Sequence, residues 1–303
     1  VKTFEHAKNM VGINCIGRES LLYGHIQAIY GYAGLSMNKP LALPKIEHGV
    51  NFSESPIEKQ EIYSHPNLVF QGEYKKMMIH NVNPLKPVFC IGPYIHYAED
   101  YYTNEHIESI RSRNGKTLLV FPTHSYEESS MDYDLPAFVD SVMDGIGKSY
   151  NTVLVSGYWL NLNSPVYAMF ESRGAKIISA GARFDPSFLK RLKTMIQLAD
   201  GVAGNDIGTH IGYSLILGKT FEKLPSKIVK RDSAKLSGPE EQQMDFNDRQ
   251  FTRAFGSGPN PGTLQQGDLF RKFWGGAEVL KSPEEMGCLI EVAEHHLEVS
   301  RGQ

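Results

Sequence analysis

The feature that most constrains the fold is a strand, loop and helix unit that occurs four times between residues 117 and 219. Short apolar runs predict the strands, at 117–122, 152–157, 175–181 and 201–204. Helical spacing of apolar residues follows at 136–148, 165–173, 187–199 and after residue 208. The runs are apolar on both faces, which is typical of parallel strands covered by helices on both sides. The sequence therefore predicts an α/β fold with a doubly wound, Rossmann-like parallel sheet.

The last of these units, residues 202–219, carries the most informative motif. Its strand ends at Asn205 and Asp206, Gly208 and Thr209 form a tight turn, and a helix begins there. A helix N-terminus presents unpaired N–H groups and the positive end of the helix dipole, so this turn is a candidate phosphate site. Asn205 or Asp206 is the expected N-cap. The alternative is an ordinary buried crossover between a strand and a helix.

Polar residues also follow the other predicted strands. His124, Ser125 and Glu127 come after the first strand, and Arg183 comes after the third. Ligands of open α/β sheets bind outside the carboxyl ends of the strands, so these residues are candidates for ligand contact. Each also has a purely structural explanation: the histidine and serine could cap a turn, and Arg183 could pair with Asp185.

The N-terminal third shows a weaker alternation of the same elements. Expected helices lie at 21–34 and 73–81, and expected strands lie at 40–50, 68–70 and 87–93. A hydrophilic stretch, 97–116, separates them from the four units described above. We therefore predict two domains, 1–114 and 115–303, each with a Rossmann-like parallel sheet.

One histidine of the N-terminal third is a candidate catalytic base. His48 lies between Glu47 and Gly49 after a predicted strand, and the glycine would allow a close approach of the backbone to a substrate.

After residue 218 the alternation of apolar strands and helices becomes weaker. The tract 219–235 is basic and is expected to be a solvated face, with contact to anionic lipid as the alternative. The stretch 240–262 is polar and rich in glycine and proline. A final helix is predicted at 282–299, where Ser282 supplies a cap and acidic residues follow in the first turn.

Composition narrows the class of protein. The chain has 303 residues and a net charge of −3, which gives no support to a nucleic-acid partner. Its three cysteines, Cys15, Cys90 and Cys288, are dispersed among apolar residues and are expected to be free core thiols of a reducing cytosol. Neither a signal peptide nor an apolar run of about 18 residues is evident, so we expect a cytoplasmic protein, with peripheral contact at the inner face of the membrane left open.

Several catalytic motifs are missing from the sequence. It contains no GxxxxGK[ST] phosphate loop and no GxGxxG after an early strand with an acid about 20 residues on, which disfavours ATP hydrolysis and a dinucleotide cofactor. HExxH and GxSxG are also missing, which disfavours a zinc enzyme and an α/β-hydrolase.

Two stretches together resemble a known family. Residues 119–125, Leu-Val-Phe-Pro-Thr-His-Ser, are followed by three strand and helix units and then by 204–219, Gly-Asn-Asp-Ile-Gly-Thr-His-Ile-Gly-Tyr-Ser-Leu-Ile-Leu-Gly-Lys. This arrangement resembles the C-terminal nucleotide-sugar domain of bacterial GT-B glycosyltransferases that act in capsule and lipopolysaccharide assembly. The resemblance covers residues 117 to 220, and reaches the first domain only through Glu47-His48-Gly49 and the general layout.

The resemblance implies two Rossmann-like domains that face a cleft, and transfer of a sugar from a nucleotide-sugar donor to a saccharide or lipid-linked saccharide acceptor without a metal or further cofactor. His48 and Glu127 would then be catalytic. The residues implied at the donor and its phosphates are His124, Ser125, Arg183, Asn205, Asp206, Gly208 and Thr209. Asp206 departs from the pattern, because a carboxylate beside a phosphate is unfavourable unless it caps the helix or binds a sugar hydroxyl.

Three functions remain open at this level. The first is a glycosyltransferase of surface polysaccharide biosynthesis, with His48 as the base at the acceptor hydroxyl. The second is a sugar-nucleotide epimerase or hydrolase of the same fold, which needs acid and base groups on both sides of the sugar, for which His124, Glu127 and Glu128 are available. The third is a nucleotide-sugar-binding homologue without catalytic activity.

Overall fold

The computed structural model describes residues 18–37, 44–47, 49–50, 52, 68–70, 79–81, 84, 87–125, 129–232, 238–256 and 263–301. Two candidate catalytic residues, His48 and Glu127, lie outside these ranges. The strands of the described part are β1 (Lys45–Ile46), β2 (Leu68–Phe70), β3 (Val88–Cys90), β4 (Thr117–Phe121), β5 (Ser129–Asp132), β6 (Thr152–Ser156), β7 (Lys176–Ile178), β8 (Gly201–Gly204), β9 (Thr220–Lys223) and β10 (Val229–Asp232).

The α-helices of the same ranges are α1 (His25–Tyr32), α2 (Asn104–Asn114), α3 (Leu135–Asp140), α4 (Pro165–Ser172), α5 (Phe188–Gln197), α6 (Thr209–Ile216), α7 (Gly238–Phe255), α8 (Thr263–Trp274) and α9 (Pro283–Arg301). Short 3-10 helices lie at Arg18–Gly24, Tyr94–Tyr97 and Ile146–Ser149, and a π-helical turn at Ser141–Gly145 extends α3.

The central sheet has five strands in the order β7, β6, β4, β8 and β9, and every neighbouring pair is parallel. In register, Val120 of β4 lies between Val155 of β6 and Ala203 of β8. The predicted α/β fold with a parallel sheet is therefore confirmed. The fifth strand, β9, was not predicted, because its residues belong to the basic tract.

Both faces of this sheet are buried. Leu118 and Val120 lie in one apolar cluster with residues of α3 and α4, whereas Leu119 and Val202 lie in the other, with residues of α1 and α5 to α9. Burial on both faces explains why these strands have apolar runs rather than an alternating pattern.

The strand order fixes where a ligand would bind. From β4 the chain adds β6 and β7 on one side, then returns to add β8 and β9 on the other. The order therefore reverses between β4 and β8, and the crevice outside the carboxyl ends of those two strands is the usual ligand site of such sheets.

The N-terminal third contains a smaller parallel sheet of three strands, in the order β1, β2 and β3. The strands predicted at 68–70 and 87–93 are confirmed. Of the strand predicted at 40–50, the described part contains only β1. Within the described residues, no helix is long and apolar enough to cross a membrane.

The C-terminal segment contains one helix that was not predicted and one that was. Most of the polar stretch 240–262 forms helix α7, whose Phe251, Ala254 and Phe255 are buried at helical spacing. The predicted final helix is confirmed as α9, and the Ser282 hydroxyl accepts a hydrogen bond from the Glu285 N–H at 3.2 Å. The Glu285 carboxylate accepts the Ser282 N–H in return, which completes a capping box.

Two further predictions need correction. Lys223 belongs to the tract expected to be solvated, yet its side chain is only 3% exposed and pairs with Asp248 of α7 at 3.1 Å. The strand β9 turns this residue inward, next to α7. Among the cysteines, Cys90 is buried as predicted and Cys288 is exposed on α9; Cys15 lies outside the described residues.

Candidate functional site

The loops that follow β4 and β8 are joined by direct hydrogen bonds. The Thr123 N–H donates to the Asn205 side-chain oxygen at 2.8 Å, and the Thr123 hydroxyl donates to the Asp206 carboxylate at 3.1 Å. The Asn205 side chain is fully buried. These contacts hold the two polar loops together at the point where the strand order reverses.

Asp206 does not have the capping role that the sequence predicted for it or Asn205. The N-cap of α6 is Gly208, and no side chain caps this helix. The second oxygen of Asp206 accepts the Ile207 N–H at 2.8 Å, so two donors of the loops hold the carboxylate. Among the described residues no side chain caps the first turn of α6; its Ile211 N–H donates to the Gly208 carbonyl oxygen at 3.1 Å, and the N–H groups before Ile211 are the candidates for contact with an anion.

The glycine at the N-cap makes room for a side chain. Gly208 has extended backbone angles that any residue adopts, but a Cβ there would lie 2.8 Å from the His210 ring. Thr209, the first residue of α6, accepts the Val50 N–H on its hydroxyl oxygen at 3.0 Å. This contact brings the segment that follows His48 in sequence to the same helix end.

His124 lies in the loop after β4 and is held as a neutral imidazole. Its ring stacks on Tyr158, with 4.0 Å between centroids, and burial lowers the pKa of His124, against the opposite effects of a Pro122 backbone hydrogen bond and the Asp206 charge. The hydrogen bond to Pro122 fixes one ring nitrogen as the donor. The other nitrogen of the neutral ring is then an acceptor.

His210, the second residue of α6, is a further functional candidate. Its ring stacks on Phe121 at 4.6 Å and lies 5.4 Å from the Phe221 ring. Burial, together with the neighbouring His124, lowers the pKa of His210 to about 3. Its buried Nε2 atom has no hydrogen-bond partner among the described residues.

Arg183 lies at the edge of the site rather than in its centre. Its carbonyl oxygen accepts the N–H of Tyr23, a residue with a left-handed φ of 58°, and its guanidinium lies over the Phe184 ring. Asp185, one acid considered as a partner of Arg183, pairs with Arg191 at 2.7 Å.

The Tyr23 hydroxyl links Arg183 to the rest of the site. Burial raises the pKa of Tyr23, while Tyr158 raises it further and Arg183 lowers it, so both side chains lie near this hydroxyl. Tyr158 in turn stacks on His124, with 4.0 Å between the ring centroids.

Ser125 has a role within its own loop. Its hydroxyl oxygen accepts the Met131 N–H at 2.9 Å, and its carbonyl oxygen accepts the Asn161 side-chain amide. The first contact joins the residue that precedes β5 in the described chain to the strand itself. A role of Ser125 at the donor stays a prediction.

The structure thus joins Asn205 and Asp206 to Thr123 by hydrogen bonds, and His124, the next residue, lies near enough to interact with the Asp206 charge. Thr123 and Tyr158, which the sequence analysis missed, hold this cluster. Position alone could have identified them, because both follow strands of the central sheet closely. Among the described residues, no group of three or more His, Cys, Asp or Glu side chains is placed to hold a metal ion.

Comparison with known proteins gives limited similarity. No family model and no curated protein matches the chain. A UDP-GlcNAc 2-epimerase from Neisseria meningitidis, bound to UDP-GlcNAc, is 14% identical, with a TM-score of 0.41 over 91% of this chain and 72% of that one. Phytolacca americana UGT2, complexed with UDP-2-fluoroglucose and pterostilbene, is 11% identical, with a TM-score of 0.33 over 91% of this chain and 64% of that one. Both TM-scores are below 0.5, so the similarity to these two structures does not indicate a function.

Proposed function

We propose that this protein is a glycosyltransferase that moves a sugar from a nucleotide-activated donor to a saccharide acceptor in surface polysaccharide biosynthesis. The observation that carries the proposal is the site between β4 and β8. There the uncapped N-terminus of α6 lies beside a buried polar cluster at the reversal of strand order. This is where open α/β sheets bind nucleotides, and a helix N-terminus is suited to their phosphates.

In this proposal the donor phosphates lie at the first turn of α6. The N–H groups of Gly208 and Thr209 would stabilise the negative charge that develops on the leaving phosphate. The Thr209 hydroxyl adds a donor, because its oxygen already accepts the Val50 N–H and its proton remains to be donated. No step of this arrangement needs a metal ion.

The contact between Val50 and Thr209 also supports a role for the N-terminal third. It brings the segment that follows His48 to the phosphate end of α6. His48 is therefore proposed as the base that removes the proton of the acceptor hydroxyl, and Glu127 as a second catalytic group. A domain arrangement like that of GT-B enzymes, with the acceptor on the N-terminal side, belongs to the same proposal.

A first experiment tests nucleotide-sugar binding. Thermal-shift measurements with UDP-, GDP-, CMP- and CDP-sugars should identify at least one ligand that raises the melting temperature. Thr209→Val should bind that ligand more weakly than the wild type does. Thr209→Ser, which keeps the hydroxyl, should bind it nearly as well as the wild type. If no member of the panel stabilises the protein, the proposal fails.

A second experiment tests catalysis by the N-terminal side. His48→Ala should keep donor binding and lose turnover, measured as nucleotide release in the presence of acceptor saccharides. Loss of donor binding in this variant would instead move His48 to the donor site and refute its role as base.

One observation favours a second candidate, a sugar-nucleotide epimerase or hydrolase. Burial lowers the pKa of His124, which favours the neutral imidazole, and Asp206 and His210 lie near enough to interact with its charge. Such a group could remove a proton from the donor sugar itself. Donor breakdown without any acceptor, abolished in His124→Gln, would identify this activity; breakdown only with an acceptor would identify transfer.

A further inference from the structure

Helix α7 touches the segment of the N-terminal third that contacts α6. The side-chain amide of Asn247, on α7, donates a hydrogen bond to the Phe52 carbonyl oxygen. The Asn247 side chain is fully buried, and its contact with Phe52 is partly shielded from solvent. A hydrogen bond of this kind holds the backbone of residue 52 in one place.

The Phe52 ring strengthens the same attachment. Its centroid lies 5.5 Å from the Phe251 ring, 5.1 Å from the Phe273 ring and 5.5 Å from the Trp274 ring. Residue 52 is therefore held by its carbonyl and by its side chain, on α7 and α8 together.

The other end of this attachment is the first turn of α6. Two residues before Phe52, the Val50 N–H donates to the Thr209 hydroxyl at 3.0 Å, and a Cβ on Gly49 would lie 3.5 Å from the same oxygen. Further along α6, Gly212 allows the Trp274 ring to pack directly on the helix, since a Cβ there would lie 2.4 Å from the ring. Residues 49 and 50 thus contact α6, and residue 52 contacts the C-terminal helices.

We propose that Asn247 is a positioning residue for the phosphate site at the N-terminus of α6. By holding the Phe52 carbonyl, it keeps the Val50 N–H on the Thr209 oxygen. With that lone pair occupied, the Thr209 hydroxyl is oriented to donate its own proton. Asn247 itself touches no substrate. The inference rests on the proposed function, in which the Thr209 hydroxyl donates a hydrogen bond to a nucleotide phosphate.

The test compares ligands with and without phosphates. Isothermal titration calorimetry of the wild type is first carried out with UDP, GDP and CDP and with the matching nucleosides uridine, guanosine and cytidine. It identifies a diphosphate and its nucleoside, both of which the wild type binds. In Asn247→Ala the dissociation constant of the diphosphate should rise roughly three- to tenfold, the effect of one lost hydrogen bond, while that of the nucleoside stays unchanged. Arg249→Ala, an exposed change on the same helix, should alter neither.

A double variant tests whether Asn247 acts through Thr209. If it does, Asn247→Ala combined with Thr209→Val should bind the diphosphate no more weakly than Thr209→Val alone. Additive losses, or an equal loss for the nucleoside, would overturn the proposal. Asn247→Gln, which keeps an amide donor, should recover part of the lost affinity and tests the role if the alanine variant is unstable.

A separate measurement distinguishes this inference from the proposed function. Hydrogen exchange at the Val50 amide should be slow in the wild type and faster in Asn247→Ala and Thr209→Val, with the amides of β4 and β8 unchanged. If the wild type binds none of the nucleotides, the proposed function fails, and this exchange still reports whether Asn247 holds Val50. Unchanged exchange at Val50 would overturn the positioning role.

Discussion

At the scale of single residues, the site depends on groups that are buried and neutral. The His210 ring is packed between the rings of Phe121 and Phe221. A neutral ring is favoured there because a charged imidazole loses its hydration on burial. This burial couples the protonation of His210 to the stability of the whole chain.

The first prediction concerns this pH dependence. The pKa of His210 is about 3 in the folded protein and 6.5 ordinarily, so the unfolded chain binds the extra proton between these values. Its contribution to stability is complete above pH 6.5 and is lost as the pH falls towards 3, by up to about 1.4 kcal/mol per pH unit. His210→Phe should flatten the fall in melting temperature between pH 6.5 and 4.

An exposed histidine provides the control for that measurement. His106→Gln on α2 should leave the pH dependence of the melting temperature as in the wild type. If His210→Phe and the wild type lose stability in parallel over this range, the assignment of the effect to His210 is wrong.

The second prediction compares two glycines inside helices. Gly212→Ala on α6 should destabilise the protein by at least about 1–3 kcal/mol, because its Cβ would lie 2.4 Å from the Trp274 ring. Gly287→Ala on α9 has no atom within 4 Å of the new Cβ and should stabilise by about 0.5–1 kcal/mol through helix propensity. Urea titration measures the free energy of unfolding of both variants. If both are less stable than the wild type, contact of the new Cβ with neighbouring atoms does not decide the effect.

At the scale of elements, the polar signal at one helix end was correct and that at another was not: the cap of α9 is confirmed, whereas α6 has no side-chain cap. The capping box of α9 was predicted from Ser282 and the acidic residues that follow it. The two helices α7 and α8 were missed, since their apolar residues are separated by many charged and polar ones. The strand β9 was missed because Lys219 lies just before it and Lys223 lies within it, so its residues were assigned to a basic, solvated tract.

The third prediction tests the capping box. Ser282→Ala should cost about 1 kcal/mol of unfolding free energy, because it leaves the Glu285 N–H without its acceptor. Glu285→Gln should lower the free energy of unfolding by less, since the glutamine side-chain oxygen can also accept a hydrogen bond from the Ser282 N–H. Chemical denaturation of both variants gives the comparison, and equal losses would argue against the cap.

At the scale of the whole molecule, one apolar cluster joins the N-terminal third to the central sheet. It includes Ile26 and Tyr94 from the N-terminal third, Val202 from β8, and Trp274 and Ile290 from the C-terminal helices. A shared core of this kind favours cooperative unfolding. The boundary predicted between residues 114 and 115 stays a prediction.

The fourth prediction follows from this shared core. Calorimetry should record one unfolding transition for the chain, and Phe52→Ala should move that whole transition to lower temperature, with a loss of about 3 kcal/mol. Phe246→Ala, at a side chain that is 45% exposed, should have little effect. Two resolved transitions in the wild type, only one of them shifted by Phe52→Ala, would contradict a common core.

The sequence by itself determined the parallel sheet, most of its strands and the polar loops that follow them. These are local properties, since apolar runs, strand ends and glycine turns reflect the chain's own conformational preferences and its need to bury apolar surface. Only the tertiary structure decided that Asp206 binds Thr123 instead of capping α6, that Lys223 is buried and that Thr209 meets Val50. Each of these contacts joins residues far apart in sequence, so it exists only once strands β4, β8 and β9 and the C-terminal helices have packed together.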